Sequence, residues 1–370
     1  MNDFLGEILS QHEALTTAFS HIIEKEKNRF LKIKNYLEND RINKLIFTGI
    51  GSSLSACYLP FYFLNQHGIV TEMREAGEFA LNLVTEKNPK IYNKTCIVIV
   101  SQSGESGEII ELLKKLRMTK AYPVTCAITN NPKSTLAKKS DIQIYMNLEQ
   151  ETSVTSKTYI CSLLILYVLA KTIISEFFDR EREIKRIEYI ARQVQFLLED
   201  KEKINFIWEE LLTNFGVECE FLEVLSRGPS LSTAHQAALT FKEITKSYSE
   251  AQPISEFRHG GIECLNDTSK LIIITSDENS ANIDARFILK LIKEWKFDKL
   301  LYITNQPLSK ELTEMQKNPK IIIYQHEIKD PFLSPLYEII ILQLLFYKMA
   351  EKRGLQPGKF IYSQKITRGL

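Results

Sequence analysis

The segment Gly51-Ser52-Ser53-Leu54-Ser55 recurs further along the chain as Gly228-Pro229-Ser230-Leu231-Ser232, an offset of 177 residues (228 − 51). Two more segments recur in the same order: Glu78-Phe79 as Glu256-Phe257, and residues 128–132 as residues 303–307. Their offsets are nearly the same, 178 (256 − 78) and 175 (303 − 128) residues. Solenoid repeats are only about 20–50 residues long, so this period suits a duplicated domain. The sequence therefore predicts two copies of one domain.

The composition indicates how many domains the chain can form and which partners it is expected to bind. The chain has 370 residues, of which 44% are hydrophobic, and a formal net charge of +1. This length can bury two cores of domain size. Because opposite charges balance and no lysine-rich patch is evident, partners such as nucleic acid or an anionic membrane are not expected. The six cysteines form no CxxC pair and lie mostly in apolar runs, which predicts buried, reduced thiols.

The N-terminus lacks the basic and apolar pattern of a signal peptide. The most apolar stretch, residues 160–174, is too short and too interrupted to be expected to span a bilayer. Both features predict a soluble, cytoplasmic protein.

The pattern of apolar residues predicts the order of elements. Residues 1–40 are predicted to be an N-terminal helical segment. Short apolar runs then alternate with amphipathic stretches in residues 41–176 and again in residues 215–355. Such alternation favours an α/β fold with a parallel sheet covered by helices on both faces. Residues 177–214 are predicted to be a helical linker, and residues 356–370 a C-terminal tail.

The predicted strands are the buried apolar runs. In the first copy they are residues 45–47, 97–100, 124–128 and 142–145; in the second copy they are residues 221–225, 271–274, 300–303 and 321–324. The segments 72–78 and 248–255 are interpreted as loops.

The strongest local signal is Ser101-Gln102-Ser103-Gly104-Glu105-Ser106. It follows a predicted strand and precedes a predicted helix, where an α/β sheet presents its ligand-binding edge. Backbone N–H groups at the helix start favour an anion, Gly104 allows close approach, and the hydroxyls add donors without charge. An ordinary serine N-cap is the alternative. The second copy has Ser276-Asp277-Glu278-Asn279-Ser280 instead, whose carboxylates would repel a phosphate. The comparison favours phosphate binding by the first copy.

Gly51, Ser52 and Ser53 are expected beside this loop, at the end of the first strand. Gly49-Ile50-Gly51 begins like a dinucleotide fingerprint, but Leu54 stands where the third glycine would be, so a nicotinamide site is not favoured.

Two residues of the second copy have no equivalent in the first. Glu243 corresponds to Gln66, and His259 corresponds to Leu81. A carboxylate and an imidazole are a common pair for moving protons next to a carbonyl. A solvated glutamate and a capping or core histidine are the alternatives. His235 lies two turns before Glu243, and no metal-ligand spacing is present, so neither a metal nor another cofactor is expected.

With these motifs, the chain resembles the sugar isomerase (SIS) domain family over nearly its whole length, as two tandem SIS domains of flavodoxin-like αβα architecture. The resemblance is strongest to the isomerase half of glucosamine-6-phosphate synthase, and it extends to fructosamine-6-phosphate deglycases and sugar-phosphate deaminases. It implies sugar-phosphate binding by the following residues: Gly51, Ser52, Ser53, Ser101, Gln102, Ser103, Gly104, Ser106, Thr155 and Lys157.

The resemblance also implies catalytic residues. Lys242-Glu243-Ile244 is similar to the family segment that carries an enolising glutamate, and Glu256-Phe257-Arg258-His259-Gly260 to the segment whose histidine acts from a neighbouring subunit. Ser363-Gln364-Lys365 is similar to the C-terminal lid, with Lys365 as its lysine. A homodimer is implied by the same resemblance.

Two departures narrow the expected activity. No glutaminase domain precedes the pair in this sequence, so glutamine-dependent transfer is not expected. Thr240 replaces the lysine that forms a Schiff base in the synthase. An enzyme whose substrate already carries an amine would not need that lysine, which favours a deglycase or deaminase acting on a 6-phosphorylated amino sugar or Amadori compound. An aldose–ketose phosphate isomerase and a non-catalytic phosphosugar sensor remain as alternatives.

Overall fold

The computed structural model describes residues 3–85, 91–119, 121–175, 177–362 and 364–365. Ser363, part of the C-terminal resemblance, lies outside the described residues. The chain folds into two compact units, one of Ser10–Ala191 with Phe360–Leu370 and the other of Met1–Leu9 with Arg192–Lys359.

The first unit contains a sheet of five parallel strands in the order β2-β1-β3-β4-β5. The strands are β1 (Lys44–Gly49), β2 (Thr71–Glu75), β3 (Thr95–Val100), β4 (Val124–Thr129) and β5 (Ile142–Tyr145). The second unit repeats the arrangement in the order β7-β6-β8-β9-β10, again all parallel. Its strands are β6 (Phe221–Ser226), β7 (Tyr248–Pro253), β8 (Ser269–Thr275), β9 (Leu300–Thr304) and β10 (Ile321–Gln325). The predicted duplication and the predicted parallel α/β fold are confirmed. The two sheets and the elements that follow their strands are called the first and second domain copies below.

Helices connect the strands. Up to β5 and the long helix after it, they are α1 (Asp3–Leu9), α2 (Gln11–His21), α3 (Lys27–Glu38), α4 (Ser52–Gln66), α5 (Ala76–Glu78), α6 (Gly107–Met118), α7 (Thr135–Lys139) and α8 (Lys157–Ile174). The others are α9 (Glu181–Glu199), α10 (Lys201–Asn205), α11 (Leu212–Phe215), α12 (Leu231–Thr245), α13 (Ile254–Phe257), α14 (Glu278–Lys293), α15 (Lys310–Met315) and α16 (Pro335–Lys352). Short π-helical segments lie at Ile22–Glu26, Phe79–Leu83 and Phe206–Leu211, and 3-10 turns at Phe177–Asp179, Gly228–Ser230 and Gly261–Cys264.

The interpretation of residues 72–78 and 248–255 as loops is wrong. These segments overlap the two strands β2 and β7. β2 and β7 each pair with one neighbour only, at an edge of their sheets. Edge strands need no continuous apolar run, because one side of the ladder is not covered by another strand. Their polar sequences, TEMRE and YSEAQP, therefore carry no buried-strand pattern.

Each sheet packs against its helices to form an apolar core. Ile97 and Ile99 of β3 pack with Leu112 of α6 in the first unit, and Ile273 of β8 packs with Ile288 of α14 in the second. All of these side chains are at most 1% exposed. Hydrophobic burial on this scale is the main term that holds each α/β layer together.

The α8 helix is longer than the apolar stretch of residues 160–174 that was expected to be too short to span a bilayer. It begins at Lys157, earlier than the predicted apolar stretch, and its 18 residues are long and apolar enough to cross a membrane. However, 83% of it is buried inside the protein, as is typical of a core helix.

The cysteines also differ in one place from the expectation. Five are buried free thiols, and burial raises the pKa of Cys57, Cys96, Cys126, Cys161 and Cys219. Cys264 is exposed, because it ends a surface 3-10 turn and not an apolar strand.

Candidate functional site

The sheet topology of the first domain copy sets the position of the site. β1 and β3 are adjacent and parallel, with Thr48 opposite Ile99, while β2 lies on the far side of β1. The connections after β1 and β3 therefore run to opposite sides and leave a crevice at the carboxyl ends of these strands, which is where open α/β sheets bind ligands. Residues 101–106, which follow β3, are called the serine loop here. Gly51, Ser52 and Ser53 follow β1, so the structure brings them to the same crevice.

Two hydroxyls of the serine loop are oriented by its own backbone. Ser101 Oγ accepts a hydrogen bond from Gly104 N at 3.2 Å, and Ser103 Oγ accepts one from Glu105 N at 3.2 Å. Both serines are buried. A hydroxyl that already accepts a backbone N–H retains its own hydrogen for donation. The loop therefore presents oriented donors without a net positive charge.

Gly104 is required by the packing of this loop. Its φ is +63°, in the left-handed region, and a Cβ added there would lie 2.3 Å from Ser134 Oγ and 2.6 Å from Ser134 Cβ. Ser134 is fully buried and caps α7 by accepting from Ala137 N at 3.1 Å. The serine loop is thus pressed against the N-terminus of α7, where only glycine fits.

The single carboxylate of the loop is directed to α7. Glu105 accepts hydrogen bonds from Thr135 N at 2.7 Å and from Thr135 Oγ1 at 2.9 Å. These bonds satisfy the start of α7 and hold the negative charge there. The remaining loop side chains are neutral, which is what an anion at this edge requires.

A cavity of about 330 Å³ opens beside the serine loop. It is lined by Gln102, Ser103, Glu105, Asn130, Asn131, Leu148 and Gln150. Asn130 and Asn131 follow β4 and bond back to the serine loop, through Asn130 N to Gln102 O (3.1 Å) and Asn131 Nδ2 to Ser103 O (3.3 Å). Amide side chains of this kind suit the hydroxyls of a polar ligand. The recurrence of Asn130 was used to detect the duplication, but its place in this cavity was missed; its position after an apolar strand was the available signal.

Ser106 occupies the N-cap position of α6 but does not act as a cap. Its backbone has φ −63° and ψ 139°, and its side chain makes no capping hydrogen bond. By contrast, the side chains of Ser134 and Ser309 cap α7 and α15, because each accepts a hydrogen bond from a backbone N–H of its helix. The alternative of an ordinary serine N-cap therefore does not describe this helix start.

The second domain copy has a capped helix at the corresponding place. Asp277 Oδ1 accepts from Asn279 N at 3.0 Å and so fills the N-terminus of α14 with a carboxylate. The two copies thus differ as their sequences predict: neutral donors follow β3, and a carboxylate follows β8.

Thr155 and Lys365 are brought together by a buried acid that the sequence interpretation missed. Glu151, with a fully buried side chain, accepts from Lys365 Nζ at 2.8 Å, and Lys365 Nζ also donates to Ser153 O (2.6 Å) and Thr155 Oγ1 (3.2 Å). The Glu151 carboxylate further accepts from Ser156 N at 2.8 Å and from Thr158 Oγ1 at 2.6 Å, at the start of α8. A glutamate shortly before a run of Ser and Thr was the available signal.

Charge at this junction follows from these contacts. Burial by itself raises the pKa of Glu151, but the Lys365 ammonium and the hydrogen bonds from Thr158 and Ser156 outweigh it, so the pKa is lowered. Lys157 is the first residue of α8 and is partly exposed. The structure does not include it in the Glu151–Lys365 contact.

Glu243 and His259 lie in the second unit. Glu243 is in the last turn of α12 and partly buried, and Thr240, one turn earlier, is fully buried and accepts from Gln236 Nε2 at 3.1 Å. His259 is exposed and follows α13, with its backbone N–H donating to Glu256 O at 2.9 Å. His235, also on α12, is partly buried, which lowers its pKa to about 4 and keeps its ring neutral at neutral pH. Within the described part of the chain, no group of three or more potential metal ligands is found.

Comparison with known proteins gives consistent matches. The SIS domain family model matches residues 40–170 and 222–351. Glutamine–fructose-6-phosphate aminotransferase (isomerizing) of Methanocaldococcus jannaschii is 28% identical over 94% of this chain and 29% of its own length. The enzyme of the same name from Thermotoga maritima is 26% identical over 95% of this chain and 56% of its length. The chain therefore spans little more than half, or less, of these relatives.

A solved structure shares the fold. The C-terminal domain of glucosamine-fructose-6-phosphate aminotransferase from Francisella tularensis superposes with a TM-score of 0.79 at 20% identity, over 96% of both chains.

Gly104→Ala tests the packing of the serine loop. We expect a loss of about 2–4 kcal/mol in unfolding free energy, because a methyl group must displace the buried Ser134 in addition to the strain of a positive φ. Gly68→Ala is the matched control, since Gly68 has φ +77° but nothing within 4 Å of an added Cβ. Urea denaturation of both variants separates the two effects. Equal losses would show that the contact with Ser134 costs nothing.

Lys365→Met tests the Glu151 contact. Removing the ammonium leaves a buried carboxylate without its cation, so we expect a loss of about 2–3 kcal/mol at pH 7 and a smaller loss in the Glu151→Gln, Lys365→Met double variant. Because the folded-state pKa of Glu151 is lowered, this contribution is complete above the ordinary carboxyl pKa and disappears as pH falls through the lowered value.

The control for this cycle is Lys185→Met, which breaks the exposed Lys185–Glu181 pair (2.7 Å) and should cost less than about 0.5 kcal/mol. Denaturation curves recorded at pH 7 and at acid pH supply both comparisons. A Lys365→Met loss no larger than that of Lys185→Met would contradict the buried contact.

Proposed function

The chain belongs to the SIS domain family, and from that premise we propose that it is a cytoplasmic enzyme acting on a 6-phosphorylated amino sugar or fructosamine (Amadori) compound. The reaction releases the amine through an enolamine intermediate. The observation that carries the proposal is the serine loop, with its neutral, oriented hydroxyls at the β1/β3 crevice. The matched relatives are named as fructose-6-phosphate aminotransferases, which supports a sugar phosphate that carries nitrogen.

The phosphate is assigned to the serine loop. Ser101, Ser103 and Ser106 supply hydroxyl donors, and Gly104 lets the main chain approach the ligand. Ser52 and Ser53 add hydroxyls from the start of α4. Fixing the phosphate fixes the register of the carbon chain, so that binding energy is converted into orientation of the reacting carbons.

The sugar hydroxyls are assigned to the adjacent cavity. Its volume of about 330 Å³ and its amide-rich lining fit a single hexose-sized group. Gln102 and Gln150 offer both donors and acceptors, while the Asn130 amide is held by the Leu148 backbone. Thr155 and Lys157, at the start of α8, are proposed as further contacts of the sugar, as the family resemblance implies.

Proton transfer is assigned to Glu243. On a fructosamine compound, whose nitrogen is on C1, it removes a proton from C1 to give the enolamine, and return of the proton to C2 gives an imine between C1 and the amine nitrogen. Water then adds to the imine, and the products are an aldose phosphate and the free amine. His259 assists ring opening or protonates the leaving amine, and Lys365 is proposed to assist from the tail.

Thr240 supports a substrate that brings its own nitrogen. Its side chain is fully buried and accepts a hydrogen bond from Gln236, and it has no amine for a Schiff base. His259 is exposed, which supports its proposed action on a partner subunit in a homodimer. An aldose–ketose isomerase without amine loss is the second candidate, favoured by the word "isomerizing" in the names of the relatives.

The first test of the proposed function is incubation with a panel of 6-phosphorylated ketosamines and hexosamines, followed by mass spectrometry. We expect release of amine together with a sugar phosphate, and a loss of at least about tenfold in kcat/KM for Ser103→Ala, because one oriented donor to the phosphate is removed. Ser280→Ala, in the first turn of α14 in the second copy, is the control and should retain activity.

The outcomes separate the candidates. Interconversion of sugar phosphates without free amine would make the protein an isomerase. Binding without turnover across the panel would make it a sensor and end the enzyme proposal.

Glu243→Gln tests the assigned base. The amide keeps the shape of the side chain but cannot accept the proton, so we expect kcat to fall by about 10²–10⁴-fold with KM little changed, and the limb of the pH–rate profile that reports the base to disappear. Glu250→Gln, an exposed carboxylate on β7, is the matched control. Unchanged turnover in Glu243→Gln would remove this residue from the mechanism.

A further inference from the structure

A buried carboxyl group sits at the carboxyl edge of the second sheet and has no role in the proposed reaction. Glu338, in the first turn of α16, is 0% exposed. It accepts hydrogen bonds from Ser230 Oγ at 2.9 Å, from Thr233 Oγ1 at 2.6 Å, and from Ser276 Oγ. These three donors are buried and neutral.

The donors stand where the first copy has its candidate phosphate ligands. Ser230 is the third residue of Gly228-Pro229-Ser230, and its counterpart in Gly51-Ser52-Ser53 is Ser53. Ser276 is the first residue after β8, as Ser101 is the first after β3. Strands β8 and β3 hold the same place in their sheets. The hydroxyls assigned to a ligand in one copy are therefore bound to Glu338 in the other.

The first copy has no carboxylate at the matching position. Ser156 and Ser334 are the N-cap residues of α8 and α16, which sets an offset of 178 residues (334 − 156) between these helices. Glu338 then corresponds to Ile160, which is fully buried. Thr233, the third donor, likewise corresponds to Ala56, three residues beyond Ser53. The carboxyl group and its extra hydroxyl occur only in the second copy.

The neighbouring histidine does not change this arrangement. His326 Nε2 lies 3.9 Å from Glu338 Oε1, and burial lowers the pKa of His326 to about 3, so its ring is neutral. Burial raises the pKa of Glu338, and the hydrogen bonds from Ser276, Thr233 and Ser230 reduce that rise without cancelling it. Its polar contacts are thus the kind that the serine loop offers to an oxyanion.

We propose that Glu338 is a built-in oxyanion ligand, and that it fills the second domain copy's equivalent of the phosphate site. The inference rests on the proposed function of the first copy only for the identity of the anion as a phosphate. The hydrogen bonds that Glu338 accepts do not depend on that proposal. The second copy is closed to an external phosphate in two ways, by Glu338 inside the cluster and by Asp277 at the start of α14. The chain accordingly binds one sugar phosphate, in its first copy.

The test is chemical rescue of Glu338→Ala in the full-length protein. Truncation leaves three hydroxyl donors around a vacated space of carboxylate size, and we expect the melting temperature to fall by about 5 °C or more. Formate should return about 2–4 °C of that loss, because a ligand that binds only the folded state stabilises it. Formamide, which has the same shape and no charge, should return much less.

Two further variants keep the test interpretable. Glu338→Gln keeps the side-chain volume and should gain nothing from formate, and Gln343→Ala, a buried polar truncation on the same helix, should not distinguish formate from formamide. Equal rescue of Glu338→Ala by formamide, or no rescue by either compound, would overturn the oxyanion assignment. If Glu338→Ala does not fold, it is refolded in the presence of formate. No recovery of folded protein under that condition would also overturn the oxyanion assignment.

Calorimetric titration of the wild-type chain with the sugar phosphates of the panel separates this inference from the proposed function. One site per chain agrees with both, and two sites per chain would overturn the closed second copy. Absence of binding would contradict the proposed function, while the formate result would still decide the role of Glu338.

Discussion

The parallel sheet is the constraint on which the rest of this structure depends. All strands of a copy point their carboxyl ends to one edge, and connections that leave β1 and β3 on opposite sides keep a crevice open there. Backbone N–H groups gather at that edge whatever the sequence. What a copy can bind is then decided by the few residues that follow its strands.

Duplication makes these residues comparable within one chain. In the first copy, Glu105 is bonded to the start of α7 and the other side chains of the serine loop are neutral, while Gly104 is held so close to Ser134 that no side chain fits. In the second copy, Asp277 caps α14, and Glu338 takes up the hydroxyls of Ser230 and Ser276. One fold thus supports an open donor cluster and a filled one, and burial of an unpartnered hydroxyl or carboxylate is avoided in the second.

The same rule explains the tail contact. Glu151 is fully buried at the start of α8, where backbone and hydroxyl groups of Ser156 and Thr158 bond it, and Lys365 supplies the charge that burial requires. The ammonium comes from a residue 214 positions further along the sequence, which places Lys365 on the first unit.

The sequence by itself determined the duplication, the parallel α/β architecture, the eight apolar strands and the serine loop, because these depend on local periodicity and on residues close together in the chain. It did not reveal the edge strands β2 and β7, whose ladders are covered on one side only, so they need no apolar run. Only the tertiary structure decided that Glu105 bonds to the start of α7, that Lys365 meets Glu151, and that Glu338 binds the hydroxyls of the second cluster. Each of these is a contact between distant residues made by a polar group that burial forces to find a partner, and no local pattern records such a partner.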